Sequence, residues 1–190
     1  VFEHYFDKRW LDEHSLRRFA GELVEVALEN DPTLPEQNIA LMPLANGALR
    51  LGGFIFEELR KVMKTGKVEH LPTCKDENGD VHLHPDYDPA TSWKVLFIED
   101  NLTWWGSVLK EVKKVNDLGW ENYATWSLLA KNDRTWQEMA KDQGMDGEEI
   151  GNFLTLQRYD MITYDRSEVS WEWKKKKKIN IVFSLNIWFL

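Results

Sequence analysis

The chain has a single cysteine, Cys74, so no disulfide can close within it. No apolar run approaches the roughly 20 residues that a membrane helix requires. The opening residues, VFEHYFDKRW, hold no apolar stretch of secretory type. A cytoplasmic protein is therefore expected. Signatures of common catalysis are missing too: there is no glycine-rich phosphate loop, no dinucleotide fingerprint, no Gly-x-Ser-x-Gly and no His-Glu-x-x-His. These absences incline the reading away from an enzyme. Positive charge is scarce outside one place. Of 24 Lys and Arg residues, five are Lys174 to Lys178, so residues 1–173 hold 19 basic against 32 acidic side chains, a net of −13. Such a body repels phosphate backbones at long range and favours a basic partner.

What is present suits one packed core. The chain of 190 residues is 43% hydrophobic and carries ten tryptophans, which serve cores and interfaces alike. Residues 1–173 read as a single acidic helical domain. Residues 174–190 are five lysines followed by a mostly apolar stretch. That tail reads first as a non-native extension, second as a terminal β-strand, and third as a polybasic membrane anchor.

Helical periodicity dominates the reading. Ser15 as a cap, with Leu16, Phe19, Ala20, Leu23, Val24 and Ala27 on one face, predicts a helix over 15–29, stopped by Asn30, Asp31 and Pro32. A second helix is expected over 48–64, burying Leu51, Ile55, Leu59 and Val62 or Met63. Residues 66–91 are rich in His, Asp and Pro and contain the turn signal Asn78-Gly79, which predicts a small hairpin or irregular insertion. Helical patterns follow at 93–98 and 101–115, the latter with Leu102, Trp105, Val108, Leu109, Val112 and Val115 inward. Residues 120–159 read as a three-helix section: 123–131 capped by Asn122, 134–142 capped by Asp133, and 148–159 capped by Asp146. The expected fold class is mainly α, a compact helical bundle of about five to seven helices.

The most specific local signal is Trp120, Asn122, Tyr123, Thr125 and Trp126, followed by Asn132, Asp133 and Trp136. As packing, it describes a two-helix corner closed by aromatics. As a pattern, W-x-N-Y-x-T-W and then N-D with an aromatic three residues on, it resembles a group of small uncharacterised domains common in bacteriophages and mobile elements. The resemblance spans residues 120–136 and implies provenance rather than an activity.

Residues 136–155 also resemble a helix-turn-helix. Ala140, Gly144 and Ile150 fall where such a unit needs a small residue, a turn glycine and a branched packing residue. On that reading Arg134, Asn152, Gln157 and Arg158 are the candidates for touching DNA. The second helix would, however, open with Asp146, Gly147, Glu148 and Glu149, where phosphate contacts call for cations.

His82 and His84 alternate as a strand would place two imidazoles on one face, with Cys74 or His70 as a further ligand. Zinc is the metal such a set would take, and no other cofactor is expected. Calcium of the EF-hand type is excluded, because Val81 and Tyr87 stand where that loop needs glycine and glutamate.

Together these features predict a non-enzymatic binding protein of phage or mobile-element origin. It would act on a host or viral protein, with a basic or DNA-binding partner favoured by charge. Trp120, Asn122, Tyr123, Trp126 and Trp136 would form the partner surface or the aromatic corner. Two alternatives stand beside it: a helix-turn-helix DNA-binding regulator, and a small metal-dependent enzyme.

Overall fold

The computed structural model of the chain describes residues 12–44, 46–71, 73–75, 81–83, 93–102, 105–131, 135–146 and 149–159. The elements run α1 (Glu13–Asn30), β1 (Asn38–Pro43), α2 (Asn46–Val62), β2 (Lys67–His70), β3 (Thr73–Lys75), β4 (Val81–Leu83), β5 (Lys94–Leu102), α3 (Trp105–Asp117), β6 (Glu121–Lys131), α4 (Trp136–Asp142) and β7 (Asn152–Tyr159). The expected mainly α bundle is overturned. Five strands form a sheet in the order β2-β1-β5-β6-β7, every pairing parallel, and β3 and β4 make a separate antiparallel hairpin.

Parallel neighbours need crossovers, and the helices supply them. On one face, α1 and α2 bury Leu16, Leu23, Leu51, Ile55 and Leu59 against Ile39, Leu41, Leu96, Ile98 and Trp126 of the sheet. On the other, Val108, Val112 and Val115 of α3 and Trp136 and Ala140 of α4 cover Ala40, Met42, Val95 and Phe97. Each fully buried Leu, Ile or Val contributes about 1.5–3 kcal/mol, so both faces are needed to hold the sheet.

Where amphipathic periodicity is clean, the expected helices form. α1 extends slightly beyond 15–29, and its cap is Asp12, whose carboxylate accepts from the Ser15 amide at 2.7 Å, rather than Ser15 itself. The errors fall on strands. Residues 93–98 lie in β5 rather than a helix. Val95 to Ile98 are all buried because a central parallel strand is covered on both faces, and a continuous apolar run has no period to separate strand from helix. Residues 123–131 belong to β6. Tyr123, Trp126 and Ala130 fall at helical spacing, yet burial runs unbroken from Ala124 to Ala130.

The helix-turn-helix is corrected for the same reason. α4 carries Ala140 and ends in a turn at Gly144 (φ 72°), but Phe153 and Leu154 of the expected second helix lie in β7, paired with Thr125 and Trp126. Asp133 and the tail 174–190 lie outside the described residues, and α4 is capped by Thr135.

Candidate functional site

The order of the strands locates a crevice. From β1 the chain crosses through α2 on one face to β2, and from β5 it crosses through α3 and α4 on the other face to β6 and β7. The winding therefore reverses between β1 and β5. In open α/β sheets, ligands bind outside the carboxyl ends of the strands at such a switch point. Here the two strand ends are fixed to each other: Pro43 is paired with Ile98, and the Leu44 amide donates to the Ile98 carbonyl at 3.0 Å.

Two acids follow Ile98 directly. Glu99 is half-buried, and its Oε1 accepts from the Asp100 amide at 3.0 Å. Asp100 is 2% exposed. β1 ends at Pro43, opposite Ile98, while register pairs Glu99 with Ser127 and Asn101 with Leu129, so the two acids lie just beyond the end of β1 and still alongside β6. Ser127 is itself buried and donates its hydroxyl to the Leu129 carbonyl at 2.6 Å.

Two helices begin at the same end. α2 starts two residues after Leu44, and α3 starts three residues after Leu102. Their first-turn amides lack partners within the helix and carry the positive end of its dipole. In a chain with 32 acids, neither helix has an acidic residue in its first turn. The contrast is with α1, which has Glu13 there, and α4, where a capping box closes the turn: Glu138 donates its amide to the Thr135 hydroxyl and accepts the Thr135 amide. Arg50, exposed in the second turn of α2, adds a cation at this end. Acid-free helix starts facing a strand-end crevice suit a phosphate or another anion.

The residues singled out from the sequence are dispersed. Tyr123 and Trp126 pack toward α1 and α2, whereas Trp136 and Trp120 pack on the opposite face. Asn122 is buried at the start of β6 and donates its amide to the Ile150 carbonyl; Trp136 donates its indole N–H to the Gly151 carbonyl at 3.2 Å. Of the DNA candidates, Asn152 and Arg158 are exposed on β7, with the Arg158 guanidinium 5.5 Å from the Phe153 ring. Arg134 and the side chain of Gln157 lie outside the described residues.

Of the metal candidates, Cys74 and His82 are direct partners across the β3–β4 hairpin, and His84 lies outside the described residues. His70 ends β2, its ring edge-on to Phe56 at 6.4 Å. Burial pushes its imidazole below the usual value, against a hydrogen bond with the Leu71 backbone that favours the charged form. Among the described residues, no group of three or more His, Cys, Asp or Glu could hold a metal, and no helix is long and apolar enough to cross a membrane.

Sequence reasoning missed Glu99, Asp100 and the start of α3. Carboxylates are too frequent here to stand out singly. The usable signal was the junction: the apolar run Val95 to Ile98 ends in two acids, and an amphipathic helix that opens with Gly106 and Ser107 in its first turn follows shortly after.

No family model matches the chain, and no curated protein matches its sequence. Solved structures do match. An adenine phosphoribosyltransferase from Leishmania tarentolae is 18% identical with a TM-score of 0.54, covering 77% of this chain and 72% of that one. An orotate phosphoribosyltransferase from Aeropyrum pernix is 18% identical with a TM-score of 0.51, covering 80% and 78%. An adenine phosphoribosyltransferase from Thermoanaerobacter pseudethanolicus is 17% identical with a TM-score of 0.50, covering 78% and 82%. This likeness overturns the resemblance to a phage or mobile-element domain and to a helix-turn-helix. It also replaces the functional readings built on them, the non-enzymatic binding protein first. At this identity it establishes the fold, and the fold is the one these phosphoribosyltransferases share.

Proposed function

We propose that the crevice binds a phosphoribosyl donor and that the chain transfers the phosphoribosyl group to a nitrogenous base. The observation that carries this reading is the β5–α3 junction at the switch point, where adjacent carboxylates near the end of β5 are followed, five residues after Asp100, by an acid-free helix start. A phosphoribosyl donor has the complementary parts. Its phosphates match the open amides of α2 and α3. Its ribose hydroxyls match carboxylate acceptors.

The transfer breaks the bond from ribose C1 to its diphosphate oxygen and forms a bond from C1 to a ring nitrogen of the base. The diphosphate leaves with the bonding electrons, and the base loses the proton its nitrogen carried. Positive charge develops on the ribose as the leaving group departs. The carboxylates of Glu99 and Asp100 stabilise that charge, and the helix dipoles stabilise the departing anion. A diphosphate substrate commonly brings a magnesium ion, which is held by one or two carboxylates together with substrate phosphates rather than by a protein cage. Glu99 and Asp100 are hard oxygen donors of the kind that ion takes.

The test is to incubate the full chain with 5-phosphoribosyl 1-diphosphate, magnesium and each of several purine and pyrimidine bases, and to follow diphosphate release. Base-dependent release, lost in Glu99→Gln, is the expected result. No release with any base, together with no binding of the donor in calorimetry at millimolar concentration, would reject the reading.

A further inference from the structure

Two adjacent glycines, Gly52 and Gly53, stand inside α2. Alanine would suit the helix better at either place, because glycine in a helix interior costs backbone entropy. Only one of them has a reason in the packing. A Cβ built on Gly53 meets nothing within 4 Å. A Cβ built on Gly52 falls 2.6 Å from Cγ of Pro43 and 3.4 Å from its Cβ, with Nε2 of His70 at 3.8 Å. Carbon atoms pack at about 3.5–4.0 Å, so a side chain there demands about 1 Å of movement. The Pro43 ring is rigid and cannot swing away. β1 is held in place as well: it is paired with β2 on one side and β5 on the other, and the Leu44 amide next to Pro43 is bonded to the Ile98 carbonyl. The part that must lift is α2. One turn farther along the helix, the Phe56 ring meets His70 edge-on, with centroids 6.4 Å apart. The helix thus rests on two adjacent strands, Gly52 on Pro43 of β1 and Phe56 on His70 of β2.

We infer that Gly52 is a positioning residue for the crevice, a role that rests on the donor site proposed above. Its contact with Pro43 sets the height of the start of α2 above the strand ends, and so the width of the crevice on that side. Gly52 lies six residues from Asn46, about 9 Å along the helix axis, so it acts on the donor only through the placing of α2. Pro43 is the last residue of β1 and is paired with Ile98, which directly precedes Glu99 and Asp100. A lift of α2 therefore changes the spacing between its start and those acids. The donor's diphosphate and ribose must span that spacing together. A displacement of about 1 Å remote from the reacting atoms can cost about a hundredfold. Donor binding at least tenfold weaker is expected when Gly52 becomes alanine, although alanine is the better helix former.

The experiment compares the full parent chain with Gly52→Ala, Gly53→Ala, Pro43→Ala and the double variant that joins Gly52→Ala to Pro43→Ala. Each is titrated with 5-phosphoribosyl 1-diphosphate and magnesium in a calorimeter, and circular dichroism checks that it is folded. Gly53→Ala enters open space and should bind as the parent does. Gly52→Ala should bind at least tenfold more weakly. Pro43→Ala removes Cγ and leaves Cβ, at 3.4 Å an ordinary contact, so the double variant should bind as Pro43→Ala does alone. That recovery reports the contact itself, and it can be read even if Gly52→Ala by itself does not fold. In turnover with a base that the parent accepts, Gly52→Ala should raise KM for the donor and leave KM for the base unchanged. Three results overturn the positioning role and leave the transferase reading standing: parent-like donor binding by Gly52→Ala, an equal loss in Gly53→Ala, or a double variant that binds more weakly than Pro43→Ala. A parent chain that does not bind the donor overturns both.

Discussion

The Tyr123 hydroxyl donates to the Asp31 carboxylate at 2.8 Å, joining the start of β6 to the turn that follows α1, 92 residues earlier. Asp31 also accepts from the Thr33 amide at 2.9 Å and from the Thr33 hydroxyl at 2.6 Å. Burial pushes the Asp31 carboxyl up, but the bonds from Thr33 and Tyr123 outweigh it and hold the group below its usual value. Burial and the neighbouring carboxylate push the Tyr123 phenol up. Tyr123→Phe is expected to cost about 1–2 kcal/mol at neutral pH.

The sign of each shift sets the pH window of that cost. The contribution of Asp31 is complete above its unfolded value near 3.9 and is lost as pH falls through the depressed folded value. That of Tyr123 is complete below about 10 and is lost as pH rises through the raised folded value. Urea denaturation of parent and variant should therefore differ most between about pH 4 and pH 10. A difference that grows toward pH 2 would contradict the assignment.

Two glycines of different kinds should respond differently to alanine. At Gly66, an added Cβ would stand 2.1 Å from the Gln37 carbonyl oxygen, a backbone atom that cannot swing aside. Gly66→Ala must therefore part the chain before β2 from the chain before β1, and a loss of about 3 kcal/mol or more is expected, in the range of a forced core rearrangement. Gly119 has open space around it but a φ of +80°. Gly119→Ala meets only the cost of the left-handed backbone, about 1–2 kcal/mol. Denaturation midpoints measured side by side check the ranking.

Asn122 is buried beside the turn that leads into β7, and its amide donates to the Ile150 carbonyl. Asn122→Ala leaves that carbonyl without its donor and should cost about 1–3 kcal/mol. Asn122→Asp should cost more at pH 7, because it aims a buried carboxylate at a carbonyl oxygen. Such a carboxyl has a folded pKa above its unfolded value. The variant should thus recover stability on acidification as the group takes up a proton and can donate. Thermal melts of the aspartate variant at pH 5 and pH 7 read that recovery directly.

The helices were legible in the sequence because each has one buried stripe. Leu16, Ala20, Leu23, Val24 and Ala27 of α1, and Val108, Leu109, Val112 and Val115 of α3, keep helical spacing and are buried as that spacing requires. The parallel sheet was not legible, because a strand covered on both faces loses the alternation that betrays a strand. Residues 124–130 are buried throughout, the polar Thr125 and Ser127 included, while Tyr123, Trp126 and Ala130 fall at helical intervals, and only pairing with β5 and β7 decides between the two periods. The crevice depends on strand order, a long-range property. Glu99 and Asp100 gain meaning only when β1 is placed beside β5 and the winding is seen to reverse there.

That dependence on strand order makes the start of α3 the sharpest place to separate folding from function. Gly106 is the second residue of α3 and exposed, and a Cβ built on it meets nothing within 4 Å. A glutamate there should strengthen the helix, since replacing a helical glycine gains about 0.5–1 kcal/mol and an acid in the first turn gains about 0.3–1 kcal/mol more. The same carboxylate would stand where the donor's phosphate is proposed to sit, and like charges repel. Gly106→Glu should thus raise the melting temperature and weaken binding of 5-phosphoribosyl 1-diphosphate at least tenfold. Gly106→Ala carries the helix gain without the charge, so it should keep most of the binding. If Gly106→Glu is stabilised and binds the donor as the parent does, the phosphate does not sit at α3. If both variants bind poorly, bulk rather than charge is responsible, and the helix dipole is not the source of recognition.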